Sequence, residues 1–266
     1  MHAEKLSPRG PAMMLVLFLA SLWIVAGAET REPLVPERLK VQVLDMRAHQ
    51  TDAFTQGFEI KGDFLYESTG LYGRSTLRGV YPDNGNIFRF SRMPETVFAE
   101  GLTIVEDEIY VLTWRENMAF VFDINTFEPV RTYQYEGEGW GLAYDGVDTL
   151  FMTDGSPILQ VRDVESFDLL TTKTITLEGE PLRRVNELEY VDGVLYGNVW
   201  QENFIVRLDP ETAEVTAVIN ATGLLTPEEQ ASADVLNGIA YNPATGTFLI
   251  TGKLWPHMFE VNFVPE

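Results

Sequence analysis

From residue 54 to the C-terminus, short apolar runs alternate with turns rich in Gly, Asp and Asn, and apolar residues do not recur at helical spacing. The pattern divides into units. Each opens with a short strand, at residues 98–105, 140–144, 186–191 and 237–242. A tight turn follows, such as Lys61-Gly62-Asp63, Glu106-Asp107-Glu108 or Asp192-Gly193. Next comes a strongly apolar strand, as in Ile109-Tyr110-Val111-Leu112 or Leu150-Phe151-Met152. Third strands are expected at 119–123 and 204–209, and fourth strands at 130–135 and 214–219. One helix is expected, over 227–234, where Pro227 precedes two glutamates.

The opening strands carry an internal repeat. Gln56-Gly57, Glu100-Gly101, Trp140-Gly141, Asn186-Glu187 and Asn237-Gly238 begin successive units at spacings of 44, 40, 46 and 51 residues. Four strands per unit at such a period indicate a β-propeller, and five units indicate five blades. The last unit has room for three strands, ending near Phe263. The alternating segment at 41–46 supplies the fourth, so the N-terminal strand pairs into the last blade and closes the ring. The expected organisation is an all-β, five-bladed propeller over 40–266, preceded by a linker at 29–39.

Residues 1–28 have a different character. Lys5 and Arg9 precede an apolar run from Met13 to Val25, which ends at Ala26-Gly27-Ala28. This is the form of a secretory signal peptide with cleavage after Ala28, and it predicts a secreted or periplasmic protein with no stable membrane association after leader cleavage; the other reading is a retained N-terminal anchor, for which the run is short. The chain has no cysteine, which excludes disulfides, thiol nucleophiles and thiolate metal sites. Its formal charge of −21 repels nucleic acid and anionic lipid.

In a propeller the first strand of each blade lines the central channel, so residues at equivalent positions form a ring. Gln56, Glu100, Trp140, Asn186 and Asn237 make that ring, and Trp114, Asp154, Trp200 and Lys253 follow at the ends of the second strands. Repeat-equivalent core positions carry similar apolar residues; these carry different polar and amphipathic ones. Each alone has a plain structural explanation: a satisfied carboxylate at Glu100, inter-blade packing at the tryptophans, a turn cap at Asn186. Their shared register favours a site. Only three histidines occur, one of them His2 in the leader, so neither a Ser-His pair nor a histidine zinc set is supported. What remains is proton transfer by one carboxylate in an aromatic pocket, where burial raises its proton affinity.

Phe54-Thr55-Gln56-Gly57, Phe98-Ala99-Glu100-Gly101-Leu102-Thr103, Gly137-Glu138-Gly139-Trp140-Gly141-Leu142, Asn186-Glu187-Leu188-Glu189-Tyr190 and Leu236-Asn237-Gly238-Ile239-Ala240 resemble the plant and bacterial type of glutaminyl-peptide cyclotransferase, in order and over about residues 40–264. That family is a five-bladed propeller converting N-terminal glutamine of peptides or proteins to pyroglutamate with release of ammonia. The resemblance implies that Glu100 shuttles the proton and that Asn186 and Lys253 assist catalysis. Gln56, Phe54, Phe98, Trp114, Trp140, Trp200 and Asn237 would bind substrate. It implies no metal and no cofactor, unlike the unrelated zinc-dependent animal type; a monomer is expected. Two other functions fit the same residues: a metal-dependent propeller lactonase or esterase, with Glu100, Asp154, Asn186 and Asn237 as ligands, and a non-catalytic exported propeller that binds peptide ends.

Overall fold

The apolar–polar alternation becomes twenty-two strands and one short helix among the described residues of the computed structural model, which are 1–2 and 32–266. Pro33–Glu266 form one compact unit; of the other, Met1–Glu32, only the two ends are described. The leader expected at 1–28 therefore lies outside the described residues apart from Met1 and His2. The fold is all-β.

Strand β1 (Glu37–Ala48) is followed by three four-stranded antiparallel meanders. The first comprises β2 (Thr55–Lys61), β3 (Phe64–Thr69), β4 (Thr76–Val80) and β5 (Ile87–Arg92). The second comprises β6 (Ala99–Val105), β7 (Glu108–Thr113), β8 (Met118–Asp123) and β9 (Pro129–Gln134). The third comprises β10 (Leu142–Tyr144), β11 (Thr149–Thr153), β12 (Ile158–Asp163) and β13 (Leu169–Thr174). A small hairpin, β14 (Thr176–Leu177) and β15 (Glu180–Pro181), leads to β16 (Val185–Val191), β17 (Val194–Val199), β18 (Phe204–Leu208) and β19 (Val215–Asn220). Helix α1 (Pro227–Gln230) precedes β20 (Leu236–Asn242), β21 (Thr247–Gly252) and β22 (His257–Pro265).

The N-terminal strand pairs antiparallel with β22, from Leu39 opposite Pro265 to Ala48 opposite His257. It begins at Glu37, inside the segment expected to be linker, because Glu37–Lys40 also pair in parallel with Ala217–Asn220 of β19. Thus β1 joins the last two groups of strands into one eight-stranded sheet. The helix is four residues long rather than extending to 234: a Thr226–Glu229 capping box starts it, and Asp234 N–H already bonds the Lys253 carbonyl.

Apolar faces of neighbouring sheets pack in sequence. Tyr66 and Leu77 meet Leu102 and Ile109; Tyr110 and Leu112 meet Leu142 and Leu150; Phe151 and Leu159 meet Val185 and Leu195. Ile205 and Ile219 then meet Ile239 and Ile250, and Phe58 and Leu65 meet Ala240 and Leu249, which returns to the first sheet. The opening strands also touch one another in the order β2, β6, β10, β16, β20 and back to β2.

That crowding explains the repeated glycine. A Cβ on Gly57 would stand 2.2 Å from Leu102 N, and one on Gly141 1.8 Å from the Asn186 carbonyl oxygen. The residue before the glycine sits where pairing with the second strand slips: register shifts occur at Thr55/Gly57, Ala99/Leu102, Val185/Leu188 and Leu236/Ile239. A bulge of this kind re-aims one side chain out of the alternating pattern.

Candidate active site

Nine of these residues line one pocket of about 190 Å³. Its walls are half-buried rings: Phe54, Phe98, Trp114, Trp140 and Trp200. Its polar members, Gln56, Glu100, Asn186 and Lys253, are each at most 5% exposed. Larger concavities lie elsewhere on the surface, but this one joins aromatic walls to buried charge. It is small beside the roughly 300–1,000 Å³ of sites for drug-sized ligands, and suits the end of a chain.

The rings brace each other edge to face. Phe98 meets Phe54 at 6.2 Å and Trp114 at 5.5 Å, and Trp140 meets Trp200 at 5.7 Å with planes 83° apart. Gly70 leaves room for Phe98, whose Cε1 would lie 2.3 Å from a Cβ there. Glu138, which the sequence reading passed over, fixes two walls together. Its Oε2 accepts from Trp114 Nε1 at 2.8 Å and Trp140 Nε1 at 3.1 Å, while Oε1 accepts from Arg115 Nε at 3.0 Å. Burial opposes ionisation of Glu138, but the bonds from Trp140, Trp114 and Arg115 outweigh it and hold the carboxyl below its usual range. Its signal was local: a glutamate between two glycines, next to indoles whose N–H groups need acceptors.

Glu100 differs. Its backbone carbonyl accepts from Ser68 Oγ at 2.5 Å, but its carboxyl makes no hydrogen bond and no ion pair among the described residues. Burial pushes its proton affinity well above the usual carboxylate range; Lys253 opposes this, and Glu138 and Glu116 add to it. Burial likewise lowers the Lys253 ammonium, with Glu100 and Asp234 opposing. Lys253 Nζ lies 4.9 Å from the centre of the Phe54 ring. The turn that carries it is tied down: Lys253 N–H bonds the Val235 carbonyl, and Leu254 N–H bonds the Ala53 carbonyl at 2.7 Å.

Asn186 has a buried Oδ1 without a hydrogen-bond partner among the described residues. Asn237 does not line the pocket, contrary to expectation. It lies behind Gln56, donating to the Thr55 carbonyl at 2.9 Å and to Gln56 Oε1 at 3.4 Å, which leaves the Gln56 NH₂ as that amide's free donor. Asp154 also stays out: its carboxylate accepts from Ser156 in its own turn and from Gln160 of β12. No group of three or more His, Cys, Asp or Glu has metal-holding geometry among the described residues.

The profile of the family described as glutamine cyclotransferase matches residues 15–263. The chain belongs to that family. A curated relative, the glutaminyl-peptide cyclotransferase of Arabidopsis thaliana, is 34% identical over 227 residues, 84% of this chain and 71% of its own length. The crystal structure of Myxococcus xanthus glutaminyl cyclase superposes with a TM-score of 0.79 at 35% identity, covering 87% of this chain and 99% of the other.

Within this glutamine cyclotransferase-family chain a second set of carboxylates lies along the opening strands. Glu187 stands where other units have glycine, and it accepts from Phe58 N–H at 3.2 Å and Ile239 N–H at 2.8 Å. Glu189 accepts from Tyr241 N–H and Glu59 from Ile104 N–H. These bonds stitch one opening strand to another.

Proposed function

We propose that this chain carries out its family's reaction, closing the N-terminal glutamine of a peptide or protein to pyroglutamate with release of ammonia. The observation that supports it best is Glu100: a buried carboxyl with raised proton affinity and no hydrogen-bond or ion-pair partner among the described residues, inside a ring-walled pocket beside a lysine.

In this scheme the neutral α-amine attacks the side-chain amide carbon. A C–N bond forms, and Glu100 takes the proton that the amine nitrogen sheds. The tetrahedral intermediate carries negative charge on the former carbonyl oxygen, which Lys253 and the Gln56 NH₂ stabilise as donors. Glu100 then returns its proton to the departing nitrogen, the old C–N bond breaks, and ammonia leaves. One proton moves out and back, so one carboxyl suffices and no metal or other cofactor enters the scheme. Asn186 Oδ1 accepts from a substrate N–H. The aromatic walls hold amine and amide in contact and keep water from the acyl carbon, favouring ring closure over hydrolysis.

The five groups of strands serve as the blades of a five-bladed β-propeller. The cyclic contact of opening strands and the return of the last core cluster to the first sheet support that count. On the same reading the mature protein is a monomer exported by a leader at 1–28. No helix among the described residues is long and apolar enough to cross a membrane.

The test is ammonia release from a short Gln-initiated peptide, with and without EDTA. One ammonia per peptide, unaffected by chelator, is the expected result. Activity abolished by EDTA supports the metal-dependent alternative, and binding without ammonia supports the non-catalytic one.

A further inference from the structure

On a chain with 40 acidic against 19 basic side chains, three arginines converge on one groove. It has a volume of about 350 Å³, and Arg74, Arg78 and Arg92 line it with Asp52, Ile87 and Phe90. Arg78 is opposite Phe90 and Thr76 opposite Arg92 across β4 and β5, so these four share one face of the sheet. Arg78 is 6% exposed and already engaged, donating to Asp52 Oδ1 at 2.9 Å and Thr76 Oγ1 at 2.9 Å. Arg74 and Arg92 are exposed, and neither side chain forms an ion pair or hydrogen bond among the described residues. Three guanidinium groups therefore face one carboxylate, a locally positive groove on a protein of net charge −21.

The groove adjoins the pocket through two pieces of chain. Asp52 lies two residues before Phe54, a pocket wall. Arg74 shares a turn with Tyr72, whose ring packs 5.5 Å from that of Phe98, another wall. The pocket suits a terminal residue, and a peptide that leaves it past Phe54 and Phe98 crosses this rim toward the groove. Extended chain advances about 3.3–3.6 Å per residue, so each further substrate residue carries the peptide that much farther from the pocket across this rim. The remaining acidic surface repels acidic peptides; paired guanidinium forks attract a carboxylate and reject an ammonium.

We propose that the Arg74–Arg92 groove is a substrate subsite that binds an aspartate or glutamate side chain at the third to fifth position of the peptide, the N-terminal glutamine being the first. The subsite rests on the cyclase function proposed above. Arg74 and Arg92 make the contact, Arg78 stays with Asp52, and Phe90 supports the methylene groups of the substrate side chain.

The test compares C-terminally amidated Gln-initiated peptides carrying Glu, Ala or Lys at the fourth position, so that only a side chain supplies the carboxylate. The native chain should show a KM for the Glu peptide roughly tenfold below that for the Ala peptide, with kcat little changed. The preference should fade at about 1 M salt, where the Debye length is about 3 Å. Arg74→Gln/Arg92→Gln, with an unshifted melting temperature, should erase the Glu:Ala ratio, and Arg74→Glu/Arg92→Glu should turn the preference toward the Lys peptide. Equal KM values for Glu and Ala peptides, or a ratio that survives the double substitution, would overturn the subsite and leave the cyclase function standing. Equal KM values for the amidated Glu and Ala peptides, with a lower KM for the Ala peptide that has a free C-terminal carboxylate, would assign the groove to the peptide's own carboxylate end and overturn the side-chain assignment. Absence of ammonia from every peptide overturns the function and the subsite together.

Discussion

Two sets of buried glutamates share the interior of this molecule, and the partners they keep separate them. Around the pocket, the Glu100 carboxyl has no hydrogen-bond donor among the described residues. Along the opening strands, Glu187 holds two backbone N–H groups from different units, and Glu189 holds one. Burial raises the proton affinity of all three well above the usual range. Perturbed protonation alone therefore does not mark the reactive group. A carboxyl whose lone pairs are used by the backbone is a fastener; one with the same perturbation and free oxygens is available to a substrate.

The largest effect should come from Glu100→Gln, with a loss of roughly 10²–10⁴-fold or more in kcat and a nearly unchanged melting temperature. Near-normal ammonia release by that variant would dissolve the contrast. Glu187→Ala should do the reverse. It strands two buried N–H groups, costing about 1–3 kcal/mol each in denaturant unfolding, while kcat per folded molecule stays near the native value. A collapse in kcat with stability intact would move Glu187 to the reactive set. Trp200→Ala removes a wall without touching either carboxylate set, and should raise KM on the order of tenfold while changing kcat less.

The smallest effect is a shift of stability with pH. Raised carboxyls such as Glu59, at about 7, bind more protons folded than unfolded, so stability falls as pH rises from their unfolded value near 4.5 through the folded one. His49 reinforces this. Burial alone would lower it, but Glu67 at 3.0 Å outweighs that and raises it, so its contribution is complete below 6.5 and fades as pH passes its folded value. Glu67 itself is held low by His49 against its burial, and its share is lost only below about 4.5. Melting temperature should thus be highest near pH 5 and fall by several degrees toward pH 8. Glu189→Gln should flatten that slope, and an unchanged slope would detach the strand carboxylates from it.

How much of this was readable beforehand depends on what each feature needs. Strand count and unit period follow from local alternation, so the all-β fold and the equivalence of Gln56, Glu100, Trp140 and Asn186 were legible. Trp114 and Trp200 followed from the same register. Asn237 shows the limit: it has the same register as Asn186, yet its side chain turns to the Thr55 carbonyl, a partner 182 residues away. Glu138 and Glu187 were visible as letters but not as bonds, because their donors lie on other units. The true span of β1 was hidden for the same reason: its parallel partner, β19, leaves no trace in the alternation of residues 37–40.

That first strand also sets an order of events. Arg47 pairs with Met258, so the earliest strand to be made meets its antiparallel neighbour only when almost the whole chain is present. Until then one edge of the growing sheet stays open, and the contact that shuts it spans more sequence than any other strand pairing among the described residues. Closure of this kind is intrinsically slow, since a long loop must be confined before the pairing can reward it. A chain interrupted before residue 257 would retain most of its meanders and Glu100, but with both ends unfastened, in a state prone to pair with its neighbours instead of itself.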